Sequence, residues 1–317
     1  MKPLLIILGP TASGKTSLAT QVCSLINGEV ISADSRQIYR DMDIGTGKDL
    51  HEYTVNGHRV PYHLIDIRDA GDKYNVNQFQ KDFKIAYQEI GQRGATAVVC
   101  GGTGFYLHAV LSGHAFSEIP VNDALRGSLE ILTVDELRQS FAKFDTAYKD
   151  LADTTTRKRL IRAIEISQFL TEHPEKNLEM SNPKPGYEAI IYGLDSPVEV
   201  RRERISKRLT DRLENGLVEE VQALLARGIS PEQLIYYGLE YKFLTLYLTG
   251  EMTYNEMKLK LETEIHRFAK RQMTFFRKME KDGFVINWLN YDKDAGKQAS
   301  FVVKHYEEAT KKFIKVL

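Results

Sequence analysis

Apolar residues in the first third of the chain fall in short unbroken runs separated by turn residues. Leu4-Leu5-Ile6-Ile7-Leu8 is the clearest, and residues 29–33, 63–67 and 95–100 repeat the pattern. Runs of this length, rich in β-branched side chains, read as buried strands of a parallel sheet. Between them apolar positions recur at helical spacing, which predicts helices from Ser17 to about Leu25 and over 76–92. From about residue 116 the helical spacing stands alone, over 121–132, 134–144 and 154–170, which reads as a helical insertion. The Pro/Gly stretch Ser181-Asn182-Pro183-Lys184-Pro185-Gly186 ends it as a linker. A strand at 188–194 rejoins the sheet. Helices over 198–213, 218–226, 240–248 and 254–280, a strand at 284–288 and a last helix complete the chain. The expected division is a core of 1–115 and 183–317 with an insertion of 116–182.

The first strand runs into Gly9-Pro10-Thr11-Ala12-Ser13-Gly14-Lys15-Thr16, a complete G-x-x-x-x-G-K-[ST] phosphate loop leading into a helix. Gly9 and Gly14 let the backbone wrap an anion, so that successive N–H groups and the helix start point at phosphate oxygens. Lys15 supplies a point charge and Thr16 a hydroxyl for Mg2+. The fold class that follows is α/β, a P-loop NTPase-like parallel sheet flanked by helices, with nucleotide binding, ATP included, as the usual inference from the loop. Ligands of such sheets sit at the carboxyl ends of the strands. That edge groups the phosphate loop with Asp34-Ser35 and Gly101-Gly102-Thr103-Gly104. Asp34 is open to three readings: a carboxylate holding Mg2+ through water, a general base, or a helix N-cap. His63, with no matching ligand set, reads as a structural hydrogen-bonder. Ile235-Tyr236-Tyr237-Gly238 reads as a loop whose tyrosines either stack on a base or pack a turn.

At 317 residues, 42% hydrophobic and 27% charged, the composition is that of a soluble globular protein. Two cysteines in apolar segments suit a reducing compartment, and no leader or membrane-length apolar stretch is evident. The expectation is a cytoplasmic protein that does not associate with membranes and acts as a monomer. Forty-three basic residues cancel forty-three acidic ones, but the basic ones cluster. Residues 201–212 hold six cations against two acids, and 267–281 hold six against Glu280 alone. With Arg157, Lys158, Arg159 and Arg162 they could form one basic wall for nucleic acid, Lys270 and Arg271 among its contacts. Arg204 and Arg208, one helical turn apart, could clamp a phosphate.

Taken together, these segments resemble the bacterial tRNA dimethylallyltransferases, also called tRNA isopentenyltransferases. The matching stretches are 9–16, Ile-Ser-Ala-Asp-Ser-Arg-Gln-Ile-Tyr-Arg at 31–40, Met-Asp-Ile-Gly-Thr-Gly-Lys at 42–48 and His-Leu-Ile-Asp at 63–66. They continue with Gly-Gly-Thr-Gly-Phe-Tyr at 101–106, Arg-Leu-Ile-Arg-Ala-Ile-Glu at 159–165 and Lys-Arg-Gln-Met-Thr-Phe-Phe-Arg at 270–277. The resemblance implies transfer of the dimethylallyl group from dimethylallyl diphosphate to N6 of the adenine 3′-adjacent to the anticodon. The tRNAs would be those reading codons that begin with U. It makes Asp34 the base, with Thr11, Lys15 and Arg208 as its catalytic partners. Residues 9–16 and Arg208 would bind the diphosphate. Asp34, Ser35, Arg36 and Gln37, with Thr103, Arg126, Lys158, Arg159, Leu160, Ile161 and Arg162, would meet the anticodon stem-loop.

The chain also departs from that family's pattern. Gly45-Thr46-Gly47-Lys48-Asp49 stands where Gly-Thr-Ala-Lys-Pro is usual, and Gly238-Leu239-Glu240-Tyr241 replaces Gly-Tyr-[KR]-[EQ], which removes a cation. The insertion looks short, with Phe144-Asp145-Thr146 in place of an Asp-Pro turn. Two other activities share the loop: an adenylate isopentenyltransferase, which needs no basic helices, and a P-loop ATPase or nucleotide kinase.

Overall fold

Strand β1 (Leu4–Leu8) is buried along its whole length, because strands pair with it on both sides and helices cover the sheet. The computed structural model describes residues 2–113, 115–181, 186–292 and 294–316. Most of the expected Pro/Gly linker, residues 182–185, lies outside them.

The phosphate loop leads from β1 into α1 (Lys15–Ile26), followed by β2 (Gly28–Ser32), a small hairpin of β3 (Thr54–Val55) and β4 (His58–Arg59), and β5 (Tyr62–His63). Helix α2 (Val76–Gln92) starts at a capping box between Asn75 and Gln78. Next come β6 (Thr96–Gly101), α3 (Gly104–Ser112), α4 (Asp123–Leu129), α5 (Val134–Ala142), α6 (Arg157–Glu172) and α7 (Pro174–Ser181). The chain returns through β7 (Ala189–Leu194), α8 (Val198–Glu214), α9 (Leu217–Ala226), α10 (Pro231–Tyr236) and α11 (Leu239–Leu248). It closes with α12 (Tyr254–Lys281), β8 (Ile286–Leu289) and α13 (Ala295–Val316).

The six-stranded sheet has the order β5-β2-β6-β1-β7-β8 and is parallel throughout. Leu8 lies level with Gly101 of β6 and Gly193 of β7, so three strands end together beneath the phosphate loop. The order reverses about β1, which opens a crevice at that edge. One face of the sheet packs on α1 and α13, where Leu18, Val22, Val302 and Tyr306 are buried with Leu5, Ile7 and Val98.

The chain divides into two compact units, Met1–His108 with Glu188–Leu317, and Ala109–Tyr187. The second is helical, with α4, α5 and α6 closing on Leu129, Leu137, Leu160, Ile161 and Ile164. A second cluster of Ile119, Ile166, Leu170 and Met180 lies along α6 and α7.

Two expectations change. The run at 63–67 contributes only His63, the second residue of β5, to the sheet, because Leu64 and Asp66 take positive φ angles of 62° and 57° that extended pairing does not allow. Of the segment expected as a loop at 235–238, Ile235 and Tyr236 end α10, which is begun by a Ser230–Gln233 capping box with Pro231 in the first turn, and Tyr237 and Gly238 form the junction to α11.

Candidate active site

The phosphate loop is held from two sides. Gln272 of α12 accepts the Thr11 amide N–H at 2.8 Å and donates Nε2 to the Gly102 carbonyl at 2.9 Å. Arg208 of α8 donates from Nη2 to the Thr11 hydroxyl. Burial pushes Arg208 down to about 10, and the neighbouring Arg212 charge adds to the effect. Lys15 is likewise lowered, first by burial, while Cys100 and Asp34 act in the opposite sense. The Ser13 hydroxyl is buried without a hydrogen-bond partner among the described residues. A buried donor left unmet is costly, so this hydroxyl is open to an acceptor.

Asp34 lies just beyond β2. Its Oδ1 accepts the Arg36 amide at 2.9 Å in an Asx turn, and Oδ2 makes no hydrogen bond within the described residues. No helix starts there, so the N-cap reading is corrected. Thr103 sits opposite: its amide donates to the Ala33 carbonyl at 3.3 Å and its Oγ1 accepts the Ser35 amide at 3.2 Å. Asp34, Ser35 and Thr103 therefore share one rim with the phosphate loop. The strand next to β1 ends in Cys100-Gly101 with no carboxylate, and burial pushes the Cys100 thiol up to about 12.

Some of the residues expected at the RNA are buried within the protein. Gln37 is buried, with its Oε1 accepting from Ser32 at 2.8 Å and its Nε2 donating to the Gly47 carbonyl at 3.0 Å. It ties β2 to the loop at 45–49 rather than facing a substrate. Leu160 and Ile161 are likewise buried, their side chains in the core of the helical unit. Tyr237 is 1% exposed, packs edge-on against Tyr39 at 4.5 Å, and donates to the Asp72 carbonyl while accepting the Gly71 amide. Tyr236 alone remains exposed, with the Arg36 guanidinium 5.9 Å from its ring centre. His63 pairs with Glu29 at 2.6 Å, beside Arg93, in a structural cluster at the opposite end of β2.

The loop at 43–49 is built by charges. Lys48 is 1% exposed, and its ammonium donates to Asp43 at 2.5 Å, to the Tyr39 carbonyl at 2.7 Å and to Asp66. Glu220 accepts the amides of Asp43, Ile44 and Gly45 and the Tyr241 hydroxyl at 2.6 Å.

The basic runs separate. On α8, Arg201 pairs with Asp195, Arg204 rests on Tyr291, Arg208 reaches Thr11 and Arg212 pairs with Asp49. These four arginines of the helix turn onto the protein, which leaves only Arg202 and Lys207 of its basic run exposed and no continuous basic wall. The face of α12 does remain open: Arg267, Lys270, Arg271, Arg277 and Lys278 are exposed. Lys270 enters no ion pair among the described residues. In the helical unit, Arg126 and Arg162 converge on Glu165, which is 2% exposed and also accepts the Asn122 amide at 2.5 Å. Lys158 and Arg159 are exposed, Arg159 pairing with Asp153.

Residues 37–279 match the family model for IPP transferase, and residues 2–66 match that for isopentenyl transferase. The chain belongs to the IPP transferase family. The tRNA dimethylallyltransferase 2 of Bacteroides fragilis is 50% identical over 96% of this chain and 98% of its own length. The tRNA dimethylallyltransferase 1 of Parabacteroides distasonis is 50% identical over 90% of this chain and 92% of its own. The crystal structure of the tRNA isopentenylpyrophosphate transferase from Bacillus halodurans superposes with a TM-score of 0.70 at 31% identity, covering 99% of this chain and 100% of that one. A eukaryotic dimethylallyltransferase acting on tRNA shares the fold, with a TM-score of 0.77 at 23% identity over 99% and 80% of the two chains. For this IPP transferase, the residue that motif reading missed is Gln272. It is the polar member of the buried stripe Met257, Leu261, Ile265, Ala269, Met273, Phe276 and Met279, and a polar group in an apolar stripe signals a buried hydrogen bond.

Proposed function

We propose that this chain transfers the dimethylallyl group of dimethylallyl diphosphate to N6 of the adenine 3′-adjacent to the anticodon, in tRNAs reading codons that begin with U. The products are N6-(dimethylallyl)adenosine and diphosphate. The observation that carries the proposal is Asp34, one carboxylate oxygen fixed and the other free, on the same rim as a phosphate loop backed by Lys15 and Arg208.

The chemistry needs both halves. The allylic C1–O bond breaks with carbocation character while N6 attacks C1, so the developing charge sits on the departing diphosphate. Fixed donors there lower the barrier without reorganising. Lys15, the loop amides and Arg208 serve that purpose, and Arg208 also holds the Thr11 hydroxyl beside the path. The proton leaving N6 goes to Asp34, held in place by the Asx turn. Thr103 keeps its hydroxyl hydrogen free to donate to the incoming nucleotide. The adenine must leave its stack to reach this rim, at a cost of a few kcal/mol, which RNA contacts elsewhere offset. The exposed cations of α12, Lys270 and Arg271 among them, suit the phosphate backbone, as do the exposed Lys158 and Arg159 of the helical unit, whereas Arg126 and Arg162 would meet RNA only with the part of each side chain that Glu165 leaves exposed.

Mg2+ fits as part of a cation–diphosphate complex. Thr16 offers one hydroxyl oxygen, and no group of three or more His, Cys, Asp or Glu among the described residues is placed to hold a metal by itself. When bound, Mg2+ would add positive charge to the leaving group. Among the described residues no helix is long and apolar enough to cross a membrane.

The test is transfer of radiolabelled dimethylallyl diphosphate to unmodified tRNA in the presence of Mg2+. Incorporation into the anticodon loop is expected. Preferential prenylation of AMP would instead indicate an adenylate isopentenyltransferase, and rapid ATP hydrolysis without prenyl transfer a P-loop ATPase.

A further inference from the structure

Three departures from the family's sequence pattern surround one side chain, Arg212, one turn beyond Arg208 on α8. Gly47 stands in place of Ala, Asp49 in place of Pro, and Glu240 in place of a Lys or Arg. Nη2 of Arg212 lies 3.2 and 3.4 Å from the two carboxylate oxygens of Asp49. A Cβ at position 47 would overlap the Arg212 guanidinium, and Gly47 has a φ of 64°. Asp49 has a φ of 44°, which a proline ring, locked near −65°, does not reach. An Ala at 47 would therefore be strained and would displace the Arg212 guanidinium, and a Pro at 49 does not fit this backbone. The third departure responds to the same group: burial pushes the Glu240 carboxyl up, and Arg212 is the first charge opposing it.

Arg212 is also underused. Its side chain is 11% exposed, yet Nε and Nη1 have no hydrogen-bond partner among the described residues. A guanidinium presents five N–H donors in a rigid fork suited to phosphate oxygens, and buried donors left unmet mark a place for an acceptor. Arg212 stands one helical turn along α8 from Arg208, whose Nη2 reaches the Thr11 hydroxyl of the phosphate loop.

We propose that Arg212 is a second phosphate-binding guanidinium of this site, held by Asp49, and that it supplies the positive charge that segment 238–241 no longer carries. The proposal rests on the reading of the cleft as a prenyl-transfer site. The phosphate belongs either to dimethylallyl diphosphate or to the tRNA backbone.

The test compares the wild type with Arg212→Met, which keeps most of the buried stem, and with Arg212→Met/Asp49→Asn, which also removes the carboxylate left behind. KM for each substrate, kcat and Tm are measured, together with calorimetric binding of inorganic pyrophosphate with Mg2+. A rise of about tenfold or more in KM for dimethylallyl diphosphate, with weaker pyrophosphate binding, assigns the group to the diphosphate. A comparable rise in KM for tRNA alone, with a shallower salt dependence, assigns it to the RNA backbone. Glu240→Arg is expected to impair the wild type by crowding cations and to restore activity in the Arg212→Met background. If the folded double variant keeps both KM values and its pyrophosphate affinity, Arg212 is only structural and the proposal is wrong. A wild type that binds pyrophosphate through Arg212 but transfers no prenyl group would overturn the reading of the reaction, not the assignment of Arg212.

Discussion

The side-chain oxygen of Gln272 lies 2.8 Å from the amide nitrogen of Thr11, so a helix near the end of the chain fixes the phosphate loop at its beginning. The same amide group donates to Gly102, and a Cβ at 102 would collide with it. One side chain therefore sets the spacing between the loop that would hold the leaving group and the loop that carries Thr103. Gln272→Met is expected to lower kcat about tenfold or more while each KM stays within about threefold, because misplacement by an ångström costs rate rather than binding. Steady-state kinetics on a variant with near-normal Tm checks this.

Asp34→Ala removes the proposed proton acceptor and leaves the basic face of α12 untouched. A loss of about 10²–10⁴-fold in kcat is expected, with tRNA affinity nearly intact. Single-turnover transfer and filter binding measure the two quantities. A variant with near-normal turnover would remove Asp34 from the base role.

Lys270 is exposed and has no ion-pair partner among the described residues. Lys270→Ala is expected to weaken tRNA binding and to reduce the slope of log K against log salt by about 0.7–0.9, the value for one phosphate contact. An unchanged slope would place the RNA elsewhere.

Glu165 gives the helical unit a pH dependence. Burial pushes its carboxyl up, but hydrogen bonds from Arg126 and Arg162 outweigh burial and hold it below its ordinary 4.5. A group lowered on folding contributes stability above its unfolded value and loses that contribution as pH falls through the folded one. Glu165→Gln should flatten the fall of Tm below about pH 4.5. Glu165→Ala should cost about 3 kcal/mol at pH 7, the lower end for a broken buried pair, because Arg126 and Arg162 keep 32% and 25% of their side chains exposed. Thermal melts across pH 3–7 test both.

The strands and long helices were legible because their signals are local. The five apolar residues of β1 announce a strand covered on both faces, and the helical spacing over 254–280 announces α12. Short elements were less legible. Helix α10 is six residues long, too short for a periodic signal, and its tyrosines looked alike although Tyr237 is core and Tyr236 is surface. On α8 the density of arginines was visible, but their partners Asp195, Tyr291, Thr11 and Asp49 are not adjacent along the chain.

By itself, the sequence determined the phosphate loop, the α/β order and the family pattern, because each rests on residue types at fixed spacing within one stretch of chain. Only the tertiary structure decided which donors meet. It set Gln272 between two glycine loops 170 residues or more away, made Lys48 a buried strut, and brought Gly47, Asp49 and Arg212 together. The pairings of Gln272 and Arg212 depend on how helices α8 and α12 pack beside the sheet edge, and a buried polar group finds its partner in space, not along the chain.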